Sequence, residues 1–183
     1  MNRTEALELV KSNVSKENLI KHMLATEAAM KALAERLGGD VEKWGMAGLL
    51  HDLDYDQTEH DFPKHGLLSA EILERKGVDT EIVRAVKAHP AHEGFLPESP
   101  MDWALYSVDS LTGLIIAAAL MHPEKKLKAI NTDFVMRRFK EKRFAAGANR
   151  DQIKKCSKLG LELEEFVAIT LEAMQSISES LGL

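Results

Sequence analysis

His51 and Asp52 follow the apolar run Trp44-Gly45-Met46-Ala47-Gly48-Leu49-Leu50, a setting in which two strongly polar side chains need a partner. A buried carboxylate without one is destabilising by several kcal/mol unless a cation, an arginine or a shifted pKa offsets the lost hydration. Four more ligand-type residues fall around the doublet: His22 upstream, then His65, His89 and Asp109 downstream. Imidazoles and carboxylates in that mixture suit Fe, Mn, Ni, Co or Zn, whereas calcium would want more oxygen donors. The expected cofactor is therefore a divalent transition metal, one ion or two.

The elements that must carry these residues read as helices. Leu7, Val10 and Val14 give a short first helix its apolar stripe, and a second spans about 16–37, closed by Gly38-Gly39. Asp40 is a good N-cap for a third, which ends near the His51-Asp52 doublet, where the partial negative charge of the helix terminus favours a cation. Residues 54–64 are polar, lack helical periodicity and read as an active-site loop or lid. Helix resumes at about 65–76 and again from 79 to 89, where Pro90 limits it. Ser99-Pro100 opens a long helix to about Met121, on which Asp109 shares a face with Leu105, Thr112 and Ile116 and points inward. Two basic helices are expected at about 132–142 and 149–159, the second opened by Asn149 and Gln152, and a last one at 162–181.

The order H…HD…H…H…D resembles the HD superfamily of metal-dependent phosphohydrolases. The run His65-Gly66-Leu67-Leu68-Ser69-Ala70-Glu71-Ile72-Leu73 is similar to the H-x-x-x-[GS]-A-x-x-L region of many members, and the likeness covers about 16–122. Beyond it, the chain resembles the C-terminal extension of small stand-alone HD hydrolases. The resemblance implies an all-α, HD-like helical bundle with additional C-terminal helices, forming one domain over 1–183. It also implies that His22, His51, Asp52 and Asp109 hold one metal, that Asp52 bridges to a second held by His65 and His89, and that an activated water attacks phosphorus. His92, three residues after His89, is an alternative ligand, whereas His60 and His122 read as surface residues. Asp54 and Asp56 extend the doublet where relatives often carry Gly or Pro at the first of these positions. Either could protonate the leaving oxygen or orient water, or could simply cap the following loop. Lys64, Lys142, Arg143 and Arg150 are candidate phosphate contacts. The same six ligands also suit a di-iron oxygenase, and a non-catalytic nucleotide sensor is a third reading.

Composition agrees with helices: of 183 residues 45% are hydrophobic but only 5% aromatic, with five prolines. The single cysteine, Cys156, excludes an intrachain disulfide and fits a cytoplasmic location. No leader pattern is visible at Met1-Asn2-Arg3, and the apolar stretch Leu114–Met121 falls short of the ~20 residues of a membrane span. The net charge of -5 hides a segment, 124–158, with 12 Lys/Arg against 4 Asp/Glu. That segment reads either as solvated helix surface or as an attractor for an anionic substrate. A small phosphorylated partner is expected. Nucleic acid and membrane are not, and homo-oligomerisation is left open.

Overall fold

A computed structural model describes residues 1–183, and it is all helical, without a strand. Helix α1 (Arg3–Asn13) starts at a capping box, in which the Asn2 side chain accepts from the Glu5 N–H and Glu5 accepts in return from the Asn2 N–H. Helix α2 (Glu17–Leu37) ends at Gly38, whose φ of 72° is left-handed, and Asp40 caps α3 (Val41–Leu50) through the Lys43 N–H. The two helices touch backbone to backbone. A Cβ placed on Gly48 would lie 2.7 Å from the Thr26 carbonyl oxygen, so only glycine permits this approach.

The stretch expected as a loop after the doublet is partly ordered instead. Tyr55–Thr58 forms one turn, α4, and Phe62–Lys64 a 3-10 turn, the first held by the Asp54 carbonyl accepting from Gln57 and Thr58 N–H groups. Short turns of this kind leave no room for helical periodicity, which is why the pattern read as irregular. Gly66 (φ 77°) then starts α5 (Leu67–Arg75), and α6 (Thr80–Ala88) follows an Asp79 cap.

Helix α7 (Pro100–Met121) begins with the Ser99–Asp102 capping box and runs through the core, packing on α2 and α6 and on the C-terminal helices α8 (Thr132–Lys140) and α10 (Leu163–Ser176). It is long and apolar enough to cross a membrane by length and composition, although the shorter run at its end is not. Its Leu105, Val108, Leu111, Leu114 and Ile115 are instead fully covered by the rest of the protein. One continuous apolar cluster of 42 buried residues extends from Ala6 to Leu181, drawing on both ends of the chain.

The second basic helix is shorter than its pattern. Asn149 accepts from the Asp151 and Gln152 N–H groups and opens a single turn, α9 (Arg150–Ile153), which passes into 3-10 turns at Lys154–Leu159 before Gly160. The last helix breaks at Ile177 (φ -111°), so that α11 (Ser178–Leu181) follows α10 as a separate turn. Between α8 and α9 the irregular segment 141–149 is held from within. The Arg150 guanidinium donates to the carbonyls of Phe144, Ala145 and Ala148 at 2.5 to 2.7 Å, and to that of Glu141 at 3.3 Å.

Candidate metal centre

Asp52 stands at the end of α3, nearly buried, with its two carboxylate oxygens turned to different neighbours. Oδ2 lies 3.6 Å from His22 Nε2 and 3.3 Å from His51 Nε2. Asp109 Oδ1 completes that side at 3.0 Å from His22 Nε2 and 3.7 Å from His51 Nε2. On the other side, Oδ1 of Asp52 lies 3.3 Å from His65 Nε2 and 3.5 Å from His89 Nε2. Five of the six residues drawn together from the sequence therefore form two donor sets that share the Asp52 carboxylate, and Asp109 stands beside the first through His22 and His51. Separations of about 3.0 to 3.4 Å are those of neighbouring donors roughly 2.1 Å from one ion.

Four elements and one junction supply the set: α2 carries His22, α3 ends in His51-Asp52, α6 ends in His89, α7 carries Asp109, and His65 sits just before α5. At Gly66 the positive φ lets the chain turn past the end of α6. A Cβ there would meet the Pro90 ring at 2.8 Å, so the close passage that brings His65 to His89 depends on glycine.

The outward-facing nitrogens fix how each ring is protonated. His51 Nδ1 donates to the Gly48 carbonyl at 2.9 Å, His89 Nδ1 to that of Val86 at 2.6 Å, and His65 Nδ1 to Asp54 Oδ1 at 2.9 Å. The Thr112 hydroxyl gives its proton to the Asp109 carbonyl and so accepts from His22 Nδ1 at 3.1 Å. With Nδ1 committed to donation in every ring, each Nε2 faces the centre and, once free of any proton, presents a lone pair there. His22 and His51 Nε2 are 3.2 Å apart, and His65 and His89 Nε2 are 3.1 Å apart. Two lone pairs at that distance repel unless a positive charge, a proton or a metal, lies between them. The residues present thus fit a divalent metal ion, with imidazole and carboxylate donors on both sides of Asp52.

The electrostatics agree. Burial works against an imidazolium at His51, yet the Asp52 and Asp109 carboxylates outweigh it and raise its pKa well above the ordinary 6.5. Burial would raise both acids, but the neighbouring imidazoles hold Asp52 and Asp109 well below the usual carboxylate range. At His89 burial and the charges of His65 and His51 prevail over Asp52, and its pKa is lowered.

Asp54 and Asp56 take other places than the acid or water-orienting roles expected of them, and neither lines the pocket. Asp54 is fully buried behind His65, accepting from His65 Nδ1 and, through Oδ2, from the Ser69 N–H at 2.9 Å. Its two oxygens are occupied, and despite burial these bonds keep its pKa below 3.8. Asp56 accepts from the Ser15 N–H and hydroxyl at 2.7 and 2.6 Å and ties α4 to the turn before α2. The expected phosphate contacts also lie elsewhere. Lys64 pairs with Asp61, Arg150 is turned into backbone carbonyls, and neither they nor Lys142 and Arg143 line the pocket. His92 is half-buried and donates from Nε2 to the His65 carbonyl, whereas His60 is exposed and His122 meets the Phe134 ring edge-on.

Above the donors opens a pocket of about 620 Å³, a volume within the ordinary range for small-molecule sites. Its lining includes Leu19, Tyr55, Phe62 and Pro90, and from the later part of the chain Ser110, Ala145, Gly147 and Gln152. The sequence reading passed over these residues. Helical spacing could have found Gly113, four residues after Asp109, but no local pattern joins Gln152 to it.

Over 171 residues the chain is 30% identical to an uncharacterized protein, MJ0778, of Methanocaldococcus jannaschii, covering 89% of this chain and 97% of that one. It is 31% identical over 97 residues to Ribonuclease Y of Nitratidesulfovibrio vulgaris (strain DP4), covering 53% of this chain and 18% of the relative. With Ribonuclease Y of Thermosipho melanesiensis identity is 29% over 138 residues, 74% of this chain and 27% of the relative. The chain spans less than a third of the length of these two ribonuclease Y proteins. The model of the HD domain matches residues 19–119, which take in every donor from His22 to Asp109, and the chain belongs to the HD domain family.

Proposed function

We propose that the protein is a metal-dependent phosphohydrolase acting on a small phosphorylated compound, a nucleotide or another phosphomonoester. The observation that carries this reading is Asp52, whose two oxygens serve two donor sets at the floor of an open pocket. His22, His51, Asp52 and Asp109 would hold one ion, and His65 and His89 with Asp52 a second. Divalent ions bound there supply Lewis acidity toward a phosphoryl oxygen and lower the pKa of water at neutral pH.

The chain's own groups prepare the site for that chemistry. Each imidazole ring is held in place by the partner of its Nδ1, so metal binding asks for loss of any Nε2 proton but no turn of the rings. Asp54 is a positioning residue acting through His65. In the overall step water adds to phosphorus, the ester P–O bond breaks with its electron pair going to the leaving oxygen, and a water proton ends on that oxygen, giving an alcohol and inorganic phosphate. The ribonuclease name of the partial relatives supports phosphoester chemistry as the class.

The test is phosphate release from a panel of monoesters by protein loaded in turn with Mn, Fe, Ni, Co and Zn, beside Asp52→Ala. The variant should lose both bound metal, read by elemental mass spectrometry, and turnover. Undiminished hydrolysis by Asp52→Ala would overturn the assignment.

A further inference from the structure

No lysine or arginine lines the pocket, although 12 such residues fall within 124–158 and that segment supplies one wall. Lys142 and Arg143 are exposed and stand outside the lining, and three other basic side chains of the segment are engaged elsewhere. Arg150 is inside the wall, bonded to its carbonyls, Arg138 pairs with Glu141, and Lys154 pairs with Asp151. What the wall offers is small and uncharged: Ala145, Gly147, Ala148, Asn149 and Gln152. The apolar and aromatic part of the lining comes from Leu19, Tyr55, Phe62 and Pro90. The Phe62 ring is 57% exposed and lies 5.4 Å from the His65 ring, with the Tyr55 ring 5.5 Å from the same imidazole.

This arrangement limits the charge that a ligand can bring. The formal charges at the floor are those of Asp52 and Asp109, with Asp54 directly behind His65. Two divalent ions against three carboxylates leave a single net positive charge. That suffices to attract one phosphoryl group, but each further phosphate would enter with no cationic side chain to meet it, in a recess where charges interact more strongly than in water. Resting on the phosphohydrolase reading, we infer that the pocket selects a compound with a single phosphoryl group on a flat, uncharged organic moiety that stacks against Phe62 and Tyr55, and discriminates against nucleoside di- and triphosphates.

Gly113 makes the inference testable by gain of function. It lines the pocket one turn beyond Asp109, it is exposed, and a Cβ there would meet nothing within 4 Å, so a side chain can start from this position without backbone strain. Mn-loaded protein freed of excess metal is assayed for phosphate release from adenosine mono-, di- and triphosphate and from phenyl phosphate, with metal content checked after each run. Binding of the adenosine mono- and triphosphate is read separately by calorimetry. The monophosphate should exceed the triphosphate by about tenfold or more in kcat/KM and in affinity, and Gly113→Lys should raise the triphosphate-to-monophosphate ratio by about tenfold. Phe62→Ala should raise KM by about tenfold at nearly constant kcat. Equal or better handling of the triphosphate by the wild type, or an unchanged ratio in Gly113→Lys, overturns the inference and leaves hydrolysis standing. No release from any compound overturns the phosphohydrolase reading and this inference with it.

Discussion

Asp54 grips His65 by the ring nitrogen that faces away from the centre, and the Ser69 N–H and hydroxyl lock the acid and its backbone in turn. Replacing it with asparagine keeps the shape but removes the charge that makes His65 a stronger donor. Asp54→Asn should therefore weaken metal binding by about 10- to 100-fold, as measured by chelator competition, while far-UV circular dichroism stays unchanged. Proton linkage gives a second expectation. The raised pKa of His51 means that it keeps its proton near neutrality, and a cation must displace that proton to reach Nε2. Metal uptake should release protons, and affinity should fall as pH is lowered, by about tenfold per pH unit for each proton released. Titrations in weakly buffered solution with a pH indicator would measure the release, and a pH-independent affinity would contradict it. The gathering of these six residues was legible in the sequence because imidazoles and carboxylates beside apolar runs have few other reasons to be there. The proposed phosphate contacts were not, since lysine and arginine are ordinary surface residues and only three-dimensional packing decides which way they turn. Arg150 looked like a ligand for phosphate and proved to be bonded to carbonyls.

At the scale of elements, the spacing between α2 and α3 sets the distance between His22 and His51, and Gly48 sets that spacing. An added methyl would press on the Thr26 carbonyl and the Glu27 N–H, at 2.7 and 2.9 Å, and both belong to a helix backbone that cannot turn aside. Gly48→Ala should destabilise the protein by about 1–3 kcal/mol, the usual range for overpacking, visible as a lowered Tm, and should weaken metal retention. A thermal midpoint equal to the wild type would show that the helices can part without cost. The long helices announced themselves through caps and periodicity, as with Asp40, Gly38 and Ser99-Pro100. The short turns did not. One turn at Tyr55–Thr58 or Arg150–Ile153 contains too few residues to display a period, and its order comes from the Asp54 carbonyl in the first and the Asn149 side-chain cap in the second rather than from an apolar stripe.

Across the whole molecule, the wall of the pocket is held by one side chain. Segment 141–149 has few backbone hydrogen bonds of its own, and the Arg150 guanidinium gathers its carbonyls. Arg150→Gln should leave the helical content intact while accelerating amide exchange and proteolytic cleavage within 141–149; unaltered exchange there would show that packing alone suffices. The overall all-α organisation was readable from composition, but the position of this wall over the donors depends on packing between parts of the chain far apart in sequence, such as Ser110 and Gln152, joined at 3.0 Å. That separation has an evolutionary side. Every donor lies between His22 and Asp109, within the matched stretch 19–119, whereas the facing wall comes from Ala145–Gln152. The two are encoded in stretches of sequence that can mutate independently, so changes in the wall can reshape what the pocket admits without altering a single donor. One inherited cluster can thus serve diverging preferences while the residues that hold it stay fixed.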